Sequence, residues 1–169
     1  LAAIGDAKAM DELRLTLADD RHPLVVDAAR AVGLTDDPTL LVPIAKLVHS
    51  RNRPIAEASL VGLRQFLSQV RSAPLGLAAV NGEAKGWGEE MSPPKLPDLP
   101  GDVRDAVAES VVQLAKDTYV DINLRGQALE VARLLGGASH RELLLELADQ
   151  AELEGTPLLL KVQRELRRQ

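Results

Sequence analysis

Three histidines, His22, His49 and His140, carry the side chain best suited to proton transfer or metal ligation near neutral pH in this 169-residue chain. They lie far apart in sequence, with no His-x-x-x-His pair and no neighbouring carboxylate at ligand spacing, so no metal centre is expected. His49 precedes Ser50, but a nucleophile and its base need a third group to orient them, and adjacency supplies no such geometry. Glu89-Glu90 places two carboxylates together in a Gly-rich stretch; acid-base work is open to them, and solvation of a loop is the plainer use. Gly82-x-x-x-Gly86-x-Gly88 lacks the Lys-Ser/Thr pair and the preceding strand of a phosphate loop. The absence of cysteine excludes disulfides, thiolate metal sites and cysteine catalysis. No cofactor is implied, and a non-catalytic chain is expected.

The elements that would position these residues are helical. Hydrophobic residues make up 46% of the chain but include only one Trp, one Tyr and one Phe, so the core must be aliphatic. Leu, Val and Ala recur at helical spacing with little β-type alternation. The formal charge of -5 gives no general attraction to phosphate backbones, and nucleic acid is an unlikely partner. No stretch approaches the run of about 20 apolar residues that spans a bilayer, so no membrane insertion is expected of this segment.

A short frame of residues repeats. Pro23-Leu24 opens a segment with Ala28, Ala31 and Val32; Pro54-Ile55 opens one with Ser59, Gly62 and Leu63; the frame returns at Leu124, Ala128, Val131 and Ala132. A period of about 30 to 45 residues built from paired helices marks an α-solenoid, in which each hairpin buries its apolar face by stacking on its neighbours. The first pair is read as Asp6 to Asp19, with Met10, Leu13 and Leu17 on one stripe, and Pro23 to Gly33. The second begins at Asp37-Pro38, an N-cap followed by proline at the first helical position, and ends with Pro54 to about Val70. Pro43 predicts a kink in its first helix. The third runs from Asp102 to about Lys116 and from Asn123 to Leu135, ending at Gly136-Gly137. The fourth opens on Ser139-His140-Arg141-Glu142, which fits a capping box, and closes from Thr156-Pro157 to Arg168.

Between the second and third pairs, Ser72 to Gly101 holds half of the ten prolines and five of the twelve glycines. This stretch is expected to be a long inter-repeat loop, and long loops in repeat arrays are often functional. Trp87 and Met91 in it are candidate partner anchors, or a cover for an apolar patch of the array, or part of a stretch that is simply disordered. Leu1 to Gly5 resembles the end of a helix, as does Ala29 to Gly33, so the chain reads as a single domain (1–169) within a longer polypeptide.

The repeats resemble HEAT-type repeats, in particular the short bacterial kind associated with phycobiliprotein lyases. Asp121-Ile122-Asn123-Leu124-Arg125, followed by Ala128 and Val131-Ala132, is similar to the Asp-x-x-Val-Arg start and small-residue spacing of a HEAT second helix, and Asp37-Pro38 resembles the corner between repeats. Val25 and Ala56 stand where the first two repeats would carry the equivalent of Arg125, so the family's Asp-Arg ladder is broken. The resemblance implies an all-α, right-handed α-solenoid of about four hairpins serving as a scaffold or protein-binding module. It also admits an accessory lyase or chaperone, or a DNA-repair-type enzyme, although three aromatic residues and net acidity suit base excision poorly.

In the family the second helices line the concave face. That places Asp27, Arg30, Glu57, Arg64, Gln127, Glu130 and Arg133 on a mixed-charge groove for a protein partner. The plainer reading of these residues is a solvated face with pairs such as Asp27 with Arg30. Lys161, Arg164, Arg167 and Arg168 read as compensation of a helix dipole. A third reading is a spacer whose ends pack on flanking domains of the same polypeptide, with exposed apolar surface concentrated at Leu1 to Gly5 and the final helix.

Overall fold

The computed structural model describes residues 7–72, 99–150 and 153–168. They form eight α-helices and, among the described residues, no strand: α1 (Ala7–Ala18), α2 (Val25–Val32), α3 (Leu41–Leu47), α4 (Arg53–Ser72), α5 (Gly101–Lys116), α6 (Ile122–Leu135), α7 (Ala138–Ala148) and α8 (Pro157–Leu166). Each odd-numbered helix packs on the even-numbered helix that follows it. The odd helices also contact one another in chain order, α1 on α3, α3 on α5 and α5 on α7, and the even helices do the same. The expected loop from 72 to 101, with Trp87 and Met91, falls almost wholly outside the described residues, as does Leu1 to Gly5.

A continuous aliphatic core lies between the two rows. Leu17, Leu40, Ile44, Leu63, Leu67, Leu129, Leu135 and Leu143 are all but inaccessible, and Phe66 is the single aromatic member among the described residues. The repeated small residues mark where even helices approach. Ala29 and Ser59 are fully buried between α2 and α4, with the Ser59 hydroxyl donating back to the Ile55 carbonyl at 2.8 Å, so its polar atom is satisfied inside its own helix. Ala128 and Ala132 play the same packing part on α6.

Helix starts follow local chemistry at three corners. Asp121 caps α6 by accepting from the Asn123 amide at 2.9 Å, and Thr156 caps α8 by accepting from the Leu159 amide at 3.3 Å, with Pro157 behind it. Asp37 accepts from the amide and the hydroxyl of Thr39 and pairs with Arg14, tying α1 to the corner before α3. Burial pushes the Asp37 carboxyl up, but the Thr39 bonds and the Arg14 guanidinium outweigh it and hold it below its usual value.

Two expectations are corrected. Pro43 does not kink a helix interior: Pro38–Leu40 form a 3-10 turn and α3 starts only at Leu41, so Pro43 sits in the first α-turn. Its missing N–H is one of the amides that a helix start leaves unused, and the 3-10 turn avoids needing it. The fourth pair does not open on a Ser139 capping box either. The helix begins at Ala138 with Gly137 as N-cap and no side-chain cap bond. Gly136 and Gly137 have φ of 68° and 85°, a reversal open to glycine at no steric cost, and this Gly-Gly turn sets the start before Ser139 is reached.

Candidate functional site

The charged residues that come together lie on the even helices. Arg64 of α4 approaches Glu130 of α6, Nη1 to Oε2, at 3.4 Å, and Lys161 of α8 donates to the other oxygen of the same carboxylate and to the Gly126 carbonyl at 3.4 Å. One carboxylate thus links three successive even helices. Beside it a cleft of about 300 Å³ opens between α6 and α8, lined by Ile122, Asn123, Gly126 and Gln127 on one side and Pro157, Leu158 and Lys161 on the other. Asp121 and Thr156, the caps of α6 and α8, fix where the two helices that line it begin.

The Lys161 ammonium bonded to Glu130 holds that carboxyl below the ordinary glutamate range, with Arg64 adding to the effect and partial burial opposing it. The Glu130 side chain is 31% exposed and that of Lys161 34%, so water screens the pair and its contribution to stability is at most about 1 kcal/mol. Its effect is on geometry and charge: an ionised, pinned acceptor at the rim of the cleft. A second bridge joins α4 to the start of α6, where Arg53 binds Glu57 at 2.7 Å and lies 3.6 Å from Asp121.

Of the residues expected on the groove, Arg64, Gln127 and Glu130 meet around this cleft, and Glu57 belongs to the neighbouring bridge. Asp27, Arg30 and Arg133 are exposed, and among the described residues no ion pair joins Asp27 to Arg30. Lys161 is the residue that sequence reasoning misplaced. Sequence position groups it with the arginines of the helix end, yet it is the fifth residue of a helix that begins at Pro157, too far from the C-terminus to offset its dipole. Its place one turn after Leu158, which is buried against the array, was the available signal.

His22 and His49, distant in sequence, line one broad cleft of about 650 Å³ with Arg21, Arg51 and Asn52, because the turns before α2 and α4 stand side by side. His22 Nδ1 accepts from the Leu24 amide at 3.2 Å, which ties it to the turn before α2. Among the described residues no three His, Asp or Glu side chains gather as metal ligands, and no helix is long and apolar enough to cross a membrane. No family model, no curated protein and no solved structure matches the chain.

His140 lies in the first turn of α7, only 7% exposed, and its Nδ1 has no hydrogen-bond partner. Burial lowers its pKa below the ordinary histidine value; Glu165 opposes this and Arg133 reinforces it. The unfolded chain therefore takes up a proton more readily than the folded one. Stability contributed by neutral His140 is fully present above about pH 6.5 and is lost progressively as the pH falls from there towards the folded pKa. We expect the urea midpoint to fall between pH 7 and pH 5, and His140→Phe to flatten that part of the profile; an identical slope in the variant would refute the assignment.

Proposed function

We propose that the chain is a non-catalytic protein-binding module, a right-handed α-solenoid of four HEAT-like hairpins whose even helices form the recognition face. The alternation of contacts supports the architecture, since odd helices meet odd and even meet even in chain order, the pattern of stacked hairpins. The Glu130 carboxylate shared by Arg64 and Lys161 carries the functional reading. It sets acceptor and donor groups of both signs across three helices beside an open, partly apolar cleft, which suits a peptide segment presenting an apolar side chain next to charge. The same pairing argues against acid-base catalysis at this place. Glu130 is held ionised by two cations and is not poised to exchange a proton near neutral pH.

The test is affinity capture with the chain as bait, comparing wild type with Glu130→Lys and with the apolar block Gly126→Leu at the cleft. Both positions are partly exposed, so the variants should keep the wild-type circular dichroism, with unfolding free energies within about 1 kcal/mol of it. Loss of the same captured protein by both variants is expected. Retention by both would place any partner elsewhere on the molecule.

A further inference from the structure

Gly126 sits in the interior of α6, where glycine is the least favourable residue after proline. Neither backbone nor packing asks for it. Its φ is negative, and a Cβ built on it would meet one atom within 4 Å, Leu158 Cδ1 at 3.9 Å, an ordinary contact. The fold would therefore gain from alanine here. What the missing side chain provides is room. The cleft between α6 and α8 opens on this turn, so bare backbone lines it, with Ile122 one turn before, Glu130 one turn after and Leu158 on the facing helix.

The lining suits a peptide unit. Its charged residues, Glu130 and Lys161, are bonded to each other, so a group that enters meets no net charge. Ile122, Pro157 and Leu158 make the walls largely apolar. Gln127, half-buried beside Gly126, has a side-chain amide with no hydrogen bond to any described residue. That amide offers an acceptor oxygen and two N–H donors at one place, and a main chain carries both a donor and an acceptor at each residue. The cleft's volume of about 300 Å³ is smaller than the roughly 400 Å³ of one helical turn 10 Å across. An extended piece of chain fits where a whole helix does not.

We infer that this cleft takes an extended, uncharged stretch of peptide chain, with an aliphatic side chain over Gly126 between Ile122 and Leu158 and the adjoining peptide group hydrogen-bonded to Gln127. This rests on the reading of the even helices as a protein-binding face and names what that face holds. Glycine at 126 then serves the occupant and not the fold: a methyl group there helps the helix and stands where the ligand lies.

The probes are acetyl-Ala-Leu-Ala-amide and its counterparts with Lys or Glu in the central position, titrated into the isotope-labelled chain while amide chemical shifts are followed. The leucine peptide should shift the Gly126, Gln127 and Leu158 amides saturably, with a Kd of about 1 mM. The two charged peptides should bind at least about fivefold more weakly, because an ion would be desolvated there without a partner. Gly126→Ala should weaken the leucine peptide about tenfold while its urea midpoint stays at or above that of wild type, so a folding defect cannot account for the loss. Gln127→Leu, which keeps the size and removes the amide, should weaken it severalfold. Wild-type affinity in Gly126→Ala, or equal binding of the charged peptides, overturns the inference. The absence of any saturable shift overturns it too; if Glu130→Lys and Gly126→Leu still lose a captured protein, the binding face stands with an occupant of another kind. Binding of the leucine peptide as described, with no protein captured by the wild type, supports the inference for the cleft and counts against the larger reading.

Discussion

Gly62→Ala should destabilise the protein by roughly 2 to 3 kcal/mol, although it puts the best helix former into the middle of a 20-residue helix. On helix propensity alone the change favours folding by about 1 kcal/mol. The packing decides otherwise. A Cβ built on Gly62 would lie 2.1 Å from the Ala29 carbonyl oxygen and 2.8 Å from Ile44 Cδ1. The first neighbour is backbone of α2 and cannot swing aside, so α2 and α4 must separate, and the cost falls on Ala29, Ser59 and Leu63, all fully buried along the seam. Gly126 is the internal control. It also lies within a helix, but a Cβ there meets only Leu158 Cδ1 at 3.9 Å, ordinary contact distance. Gly126→Ala should therefore stabilise by about 0.5 to 1 kcal/mol. Urea midpoints of the two variants should move in opposite directions; a stabilised Gly62→Ala would mean that the α2–α4 approach is looser than described.

Gly62 also shows what the chain reveals before it is folded. Its place in the recurring frame, with Ser59 and Leu63, marks it as part of the repeat, while its close approach to the Ala29 carbonyl is seen only in the folded chain. The eight helices were legible from apolar stripes and from starts such as Asp37-Pro38 and Thr156-Pro157; the caps of Asp121 and Thr156 themselves are found in the fold. What depends on distant neighbours was not. The buried His140 owes its environment to α6 and α8, because Arg133 and Glu165 act on it from across the fold. Lys161 has its partner 31 positions back in the chain. The start of α7 turned on a choice between two local signals, Gly136-Gly137 and Ser139-x-x-Glu142, and the positive-φ turn prevailed because it also reverses the chain direction. For the candidate site, Arg64, Gln127 and Glu130 were set on one face only by the resemblance to HEAT-type repeats, and the cleft itself requires α8, whose register that resemblance does not specify.

Arg125→Ala should cost about 3 kcal/mol, the other large effect expected of a single substitution. Arg125 is 3% exposed, and a buried guanidinium persists only where its donors are used. Its Nε donates to the Ala115 carbonyl at 2.8 Å, and a terminal nitrogen donates to Gln150 Oε1, while Gln150 Nε2 reaches towards the Lys116 carbonyl at 3.5 Å. Ala115 and Lys116 end α5, whose last carbonyls have no amide within the helix to receive. Arg125 and Gln150 therefore act together as a side-chain cap, with the positive charge at the negative end of the helix dipole. Truncation leaves the Ala115 carbonyl buried without this donor and frees Gln150 from α6. Arg125→Lys should recover only part of the loss, because an ammonium on a shorter reach cannot span two acceptors as the planar fork does. A double-mutant cycle of Arg125→Ala with Gln150→Ala should show coupling of at least about 1 kcal/mol, since either change disables the other's role. The first two hairpins explain why no ladder of such arginines is needed. Val25 and Ala56 occupy the corresponding positions and are 2% exposed, so those corners close with apolar packing, and the charged solution is confined to the hairpin whose helix end lies buried under the segment that follows α7. If Arg125→Ala left the urea midpoint unchanged, the carbonyls of α5 would have to be reached by water, and the corner would be open where the fold has it closed.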